Sequence, residues 1–301
     1  MSAPADDGPR ERRSATDEAG RKRDRSRPPL PEPLPAPVTD THCHLDIADG
    51  DDGDAFGVAQ ALDAAAKVNV TRVVQVGCDL PGAAWAVDLA ERHPSVVATV
   101  ALHPNEAPKL AAAGTLDDAL AEIDRLAGSS PRVRGIGETG LDHFRTGPEG
   151  RAVQEYSLRA HAEIARRRGL ALTIHDRDAH DDVLRVLDDV ETPDCVVFHC
   201  FSGNEAFARR VAERGWYLSF AGPVTFKNAA ELRAALAVTP PENLLVETDA
   251  PFLTPHPYRG RPNASYLVPL TVRFIAETLG RDLESVCHTL QANTDRAFGP
   301  W

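Results

Sequence analysis

The sequence predicts an α/β protein of the TIM-type (β/α)8 class, a single barrel domain at residues 38–301 behind a disordered tail at residues 1–37, and three observations lead there. Short apolar or β-branched runs alternate with longer amphipathic segments, the pattern of repeated βα units around a parallel sheet. Eight such runs can be counted, and their starts recur at roughly the thirty-residue length of one βαβ unit. Metal-competent side chains end five of the eight runs, and a closed barrel brings the C-terminal ends of its first and last strands to one mouth, whereas an open sheet separates them.

Residues 1–37 hold eight Lys/Arg, seven Asp/Glu and the proline-rich stretch Pro28–Pro37, with little apolar surface to bury, so they are expected to be a solvated extension. The strand runs are Val38–Cys43, Arg72–Gly77, Val96–Leu102, Val133–Glu138, Leu170–His175, Cys195–His199, Trp216–Phe220 and Leu244–Thr248. Helices are expected between them at Ala55–Val68, Ala83–Arg92, Leu116–Leu126, Glu149–Arg168, Ala179–Leu187, Glu205–Arg214 and Ala229–Ala237, and after them at Leu267–Leu279 and Leu283–Ala297.

Composition narrows the function classes. With 33 Lys/Arg against 45 Asp/Glu, the formal charge of −12 excludes a general polybasic coat, so any anion-binding surface must be local. Apolar residues make up 42% of the chain, the value of an ordinary globular protein. No run approaches the roughly eighteen apolar residues of a membrane span, and no secretory signal is apparent, so a cytoplasmic protein without membrane or obligate protein partners is expected. Five scattered cysteines without a C-x-x-C pair read as free thiols in a reducing compartment.

The chemistry lies at the strand ends. His42 and His44 stand two apart on the first run, and alternate strand residues face one side, so both can reach one ion. Glu138 ends the fourth run, His175 the fifth and His199 the sixth, and Asp249 follows the eighth. Burying such groups unpaired costs on the order of several kcal/mol each, and a divalent cation supplies the compensation. Four imidazoles and two carboxylates exceed the needs of one tetrahedral ion, which implies two ions sharing a bridge. Glu138, in the middle of the ligand order, is the best bridging carboxylate. Asp249 is expected beside the ion of His42 and His44, where it orients or deprotonates the attacking water; His175 and His199 complete the second ion.

At these residues the chain resembles the TatD family of metal-dependent deoxyribonucleases in the amidohydrolase-like barrel superfamily. The matching segments are Asp40–Asp46, Gly135–Asp142, Ile174–Arg177, His199–Gly203 and Glu247–Leu253, followed by Pro257–Gly260 and Asn263. The resemblance implies a two-metal site on the same six side chains and cleavage of DNA phosphodiesters, often as a 3′-to-5′ exonuclease on single strands, with magnesium or related divalent ions; the mixed imidazole and carboxylate set itself suits zinc, manganese, iron or, less well, magnesium. Two departures stand out: Ala264 follows Asn263 where the family often has proline, and Pro223 replaces a frequent asparagine.

A phosphodiester substrate needs positive charge at the mouth, and Arg145, Arg177, Lys227, Arg259 and Arg261 fall in the segments after strand ends. His103, at the end of the third run, is placed to donate to a phosphate oxygen, and Phe201, Phe226 and Phe252 are candidates for base stacking. His93, His161, His180 and His288 read as structural or surface residues. The same site chemistry would serve ester or amide hydrolysis, aminoacyl-tRNA deacylation included. A third possibility, a barrel kept only as a binding scaffold, would be marked by lost ligands, and all six are present.

Overall fold

The structure is a computed structural model that describes residues 10–11, 16, 22–51 and 56–300. Eight parallel strands form one sheet: β1 (Val38–Cys43), β2 (Val70–Gly77), β3 (Val96–Val100), β4 (Val133–Asp142), β5 (Ala171–Arg177), β6 (Val196–Phe198), β7 (Tyr217–Phe220) and β8 (Leu244–Val246). Their spatial order is their chain order, and the ends nearly meet. Cys43 bridges to Ala250 just past β8, the Asp249 N–H donates to the His42 carbonyl (2.9 Å), and the His44 N–H donates to the Ala250 carbonyl (2.7 Å). Asp40, fully buried on β1, accepts from the Thr248 N–H at 2.8 Å and its hydroxyl at 2.6 Å. Burial pushes this carboxyl up to about 7 despite those bonds. The predicted (β/α)8 architecture is the one observed.

Ten helices are described: α1 (Val58–Ala66), α2 (Leu80–Arg92), α3 (Ala107–Ala112), α4 (Leu116–Ala127), α5 (Pro148–Arg168), α6 (His180–Asp188), α7 (Glu205–Ala212), α8 (Ala230–Val238), α9 (Val268–Leu279) and α10 (Leu283–Phe298). Side-chain caps start several of them: Asp79 accepts from the Gly82 N–H, Asn204 from Phe207 and Asp282 from Ser285, each closing an orphan donor of the first turn. The first helix was expected from Ala55, which lies outside the described residues; α1 begins at Val58. The short α3, behind Pro104, was not expected.

The floor of the barrel is apolar. Val74, Val97, Ala171, Val197 and Leu245 fill its interior against Phe298 of α10, which leaves the polar residues to the opposite, C-terminal end. Two strands carry an extra residue there. On β1, Asp40 pairs with Val73 and Cys43 with Gln75; on β4, Ile136 pairs with Leu172 and Thr139 with Ile174. The first bulge contains His42 and the second contains Glu138, and a bulge re-aims side chains away from strict alternation.

The tail departs from expectation. Residues 1–9, 12–15 and 17–21 lie outside the described residues, but residues 22–37 form an ordered arm against the domain. Leu34 is 1% exposed, its N–H donates to Val68, and its carbonyl accepts from Asn69 Nδ2. Buried Arg23 pairs with Asp49 and donates to the Gly260 carbonyl (3.2 Å); Tyr266 donates to the Pro28 carbonyl (2.6 Å). Disorder through residue 37 was inferred from composition, but prolines lose little chain entropy on ordering, and specific side-chain pairs hold what hydrophobic burial alone would not. Leu34→Ala should therefore cost about 2–5 kcal/mol in urea unfolding; a midpoint equal to wild type would show the arm to be a solvated tail after all.

Candidate metal centre

Closure brings all six expected side chains to one point, with Glu138 in the middle. Its Oε1 lies 3.7 Å from His42 Nε2 and 3.6 Å from His44 Nε2. Its Oε2 lies 2.7 Å from His199 Nε2 and 3.0 Å from His175 Nδ1. Asp249 Oδ1 stands 3.3 Å from His44 Nε2 and 3.8 Å from His42 Nε2. The His42 and His199 rings stack at 3.9 Å between centroids, joining the two halves of the cluster. Backbone detail serves this placement. Asp249 adopts φ +54°, a left-handed conformation that non-glycine residues hold only under constraint, and the β1 hydrogen bonds described above impose it. Gly140 has φ +148°, and a Cβ there would come within 1.9 Å of the His175 carbonyl, so only glycine lets β4 approach β5 at the height of the ligands.

Carboxylates dominate the electrostatics. Burial alone would raise the Glu138 carboxyl, but the charge of His199 and hydrogen bonds from His175 and His199 outweigh it and hold the group well below the usual range. Burial likewise opposes charge on His44, yet the bond to Asp249 and the charges of Asp249 and Glu138 raise it to about 9. His199 is also raised, burial being overcome by Glu138 and Glu247. The pocket thus calls for positive charge, the condition that a cation satisfies.

The donor set fits divalent ions at individual atoms. Histidine burial by itself is no sign of metal, as His161 shows: its Nε2 accepts from the Leu102 N–H (3.1 Å), its Nδ1 donates to the Ser157 carbonyl (2.7 Å), and burial depresses it to about 4. His161 is a structural core residue, as expected. His42 is equally buried, yet neither ring nitrogen has a hydrogen-bond partner, an arrangement that costs roughly 1–3 kcal/mol per group unless something else meets it. In His44 and His199 the Nδ1 nitrogens face the Val76 carbonyl (3.3 Å) and Glu247 Oε1 (3.3 Å), which leaves Nε2 as the ring nitrogen directed at the cluster. His42, His44 and Asp249 form one group close enough to share an ion; His42, Glu138 and His199 form another.

Three contributing residues escaped the sequence reading. Asp142 puts Oδ2 3.4 Å from His175 Nε2 and accepts from Asn105 Nδ2 (2.9 Å); Glu247, fully buried, receives His199 and the Cys200 N–H (2.8 Å). Both lie inside segments that were read as motif, but a supporting carboxylate has no spacing signature of its own. Cys78, at the end of β2, donates to Glu138 Oε1 at 3.2 Å.

The mouth residues are distributed unevenly. His103 is fixed by the Asn105 N–H, which donates to its Nδ1 (3.1 Å), so the neutral ring carries its proton on Nε2, 3.9 Å from Glu138 Oε2; burial lowers its pKa to about 3. Arg145, Lys227 and Arg259 are exposed on the rim, and Arg259 lies over the Phe226 ring at 4.3 Å. Arg177 lies over Phe144. Arg261 is drawn away from the rim to the arm, donating to the Ser26 carbonyl at 2.9 Å and the Arg27 carbonyl at 2.8 Å. Phe201 is a buried packing residue stacked on Phe207, which removes it as a candidate for base stacking, and Phe252 meets the His44 ring edge-on. Asn263 is buried and donates to the Thr248 and Phe252 carbonyls, so the mouth loop is pinned without the family's proline.

A family model described as TatD related DNase matches residues 39–299. The chain belongs to the TatD family. Among TatD-family relatives it is 45% identical over 250 residues to the metal-dependent hydrolase TatD of Mycobacterium tuberculosis, covering 82% of this chain and 92% of that one. It is 35% identical over 242 residues to the metal-dependent hydrolase YabD of Bacillus subtilis, covering 79% and 91%. The crystal structure of YjjV, a TatD homologue from Escherichia coli, superimposes with a TM-score of 0.77 at 25% identity, over 88% of this chain and 98% of that one. Membership places the chain among metal-dependent hydrolases.

Chelator-treated protein should gain thermal stability on adding zinc or manganese, by about 2.7 kcal/mol when the free ion is at a hundred times its Kd. His42→Ala should lose most of that gain. A wild-type melting curve indifferent to every divalent ion would mean that the cluster takes no cation.

Proposed function

We propose that this TatD-family hydrolase cleaves DNA phosphodiesters, acting from the 3′ end of single strands, with a pair of divalent ions held between His42, His44 and Asp249 on one side and His175 and His199 on the other. The observation that carries the reading is the division of Glu138: one carboxylate oxygen faces the β1 histidines and the other faces His175 and His199, the disposition of a bridge. DNA as the substrate is supported by the matching family's description and by the arginine rim around an otherwise acidic pocket.

Ions bound there supply activation of water and neutralisation of charge building on the phosphoryl oxygens. The chain's own residues do the rest. Asp249 takes the proton of the attacking water; burial opposes its charge, but its bond to His44 and the His44 and His42 charges keep it ionised. His103 presents its Nε2 proton toward the phosphoryl group. Arg145, Arg177, Lys227 and Arg259 hold the flanking phosphates outside, and Glu247 keeps His199 in the orientation that frees Nε2.

Metal-stripped protein reloaded with magnesium, manganese or zinc should shorten a 5′-labelled single-stranded oligonucleotide stepwise. Glu247→Gln should lose about 10–100-fold in metal affinity or rate, and Asp249→Ala should lose turnover while keeping its fold. Folded, metal-loaded protein that leaves every oligonucleotide intact but turns over aminoacyl esters would transfer the same site to ester hydrolysis.

A further inference from the structure

Of the aromatic residues considered for base stacking, Phe201 is buried and Phe226 and Phe252 are half-buried, whereas a different one stands open at the mouth. Phe144 is 62% exposed, and of the other exposed large apolar side chains among the described residues, Leu30 belongs to the arm and Tyr156 to α5. Its position is set from both strands beneath it. Asp142 pairs with Arg177 at the end of the β4–β5 ladder, the His143 N–H donates to the Arg177 carbonyl (2.9 Å), and the Arg145 N–H closes back on Asp142 Oδ1 (2.8 Å). Phe144 therefore projects from the tip of a turn whose base, Asp142, is 3.4 Å from His175. The Arg177 guanidinium lies over the ring, its Cζ 3.9 Å from the centroid, so one face is covered by a cation and the remainder meets solvent. Such a ring contributes nothing to the core, and its guanidinium backing is already in place before any ligand arrives.

We propose that Phe144, backed by Arg177, is a stacking platform for an unpaired nucleobase of the strand entering the metal centre, with Arg177 and Arg145 meeting the phosphates on either side. Charge selects this occupant over an apolar or cationic one: two arginines adjoin the ring on a protein whose net charge is −12. An unpaired base has a free π-face for the ring, which a base stacked in a duplex lacks. The inference rests on the nuclease reading and adds to it the feature that makes single strands the preferred form.

The test is equilibrium binding by fluorescence anisotropy. Metal-loaded wild type, Phe144→Ala and Phe144→Trp are titrated against a labelled phosphorothioate oligothymidylate, which resists cleavage, and against the same backbone with abasic sugars. Wild type should bind the base-bearing strand about tenfold more tightly, the effect of one stacked base. Phe144→Ala should lose that preference with no change toward the abasic strand, and Phe144→Trp should keep it. The proposal is overturned if wild type binds both strands equally or if the preference survives in Phe144→Ala. Because the ring is exposed, unchanged melting and metal uptake are expected in both variants. Cleavage of ordinary oligonucleotides by the same samples reports separately: a base preference that depends on Phe144 without cleavage upholds the platform and sinks the nuclease reading.

Discussion

The site depends on a single constraint, a carboxylate buried where water cannot solvate it. Glu138 sits on the interior of a barrel at a depth where an uncompensated charge would be prohibitive, and four imidazoles converge on its two oxygens. Each imidazole is in turn oriented from behind or left without a protein partner, so the cluster is an array of ring nitrogens and carboxylate oxygens held at fixed spacing. A protein fold normally avoids this arrangement. Its cost is offset where a cation completes it, and the contrast with His161, fully satisfied by backbone groups, separates a histidine that meets its own hydrogen-bonding needs from histidines grouped so that they could hold a metal.

Barrel closure turns this local constraint into a global one. The candidate ligands come from five strands or the segments just past them, and His42 and Asp249 lie at opposite ends of the sheet. They meet because β1 and the segment after β8 exchange two backbone hydrogen bonds, reinforced by the Asp40 carboxylate clasping Thr248. The same bonds hold Asp249 in its left-handed conformation. Closure, ligand geometry and backbone strain are therefore one structural event, and loosening the β1–β8 seam would be felt first at the metal centre.

Much of this was legible from the residues. The strand rhythm gave eight units, and polar groups ending apolar runs marked one end of the barrel as the chemical one, because so many of them at one end is costly unless something compensates them. What could not be read was anything set by irregularity or by partners distant in the chain. The bulges at His42 and Glu138 break the alternation on which the facing argument relied, and they leave no pattern in composition. Asp142 and Glu247 act through other residues and look like any loop or strand-end carboxylate. The ordered arm was missed because charge and proline content describe average solvation, whereas Arg23 and Leu34 are held by particular sites on the domain. Phe201 could not be decided from sequence for a related reason: an aromatic beside a ligand position can face the mouth or, as here, turn inward to pack.

In this overall acidic chain the two signs of charge are layered. The carboxylates are buried at the centre, where low polarity strengthens their hold on cations, and the arginines stand at the rim, where they are hydrated and reach outward. Arg261 shows that rim charge is not automatically available: it has been turned back to fasten the arm, and its loop is pinned again by Asn263. Arg259, on that same loop and stacked on Phe226, gains a rigid base from this bracing. The N-terminal arm therefore belongs to the architecture of the mouth, since it holds from outside the loop that the metal centre faces from within.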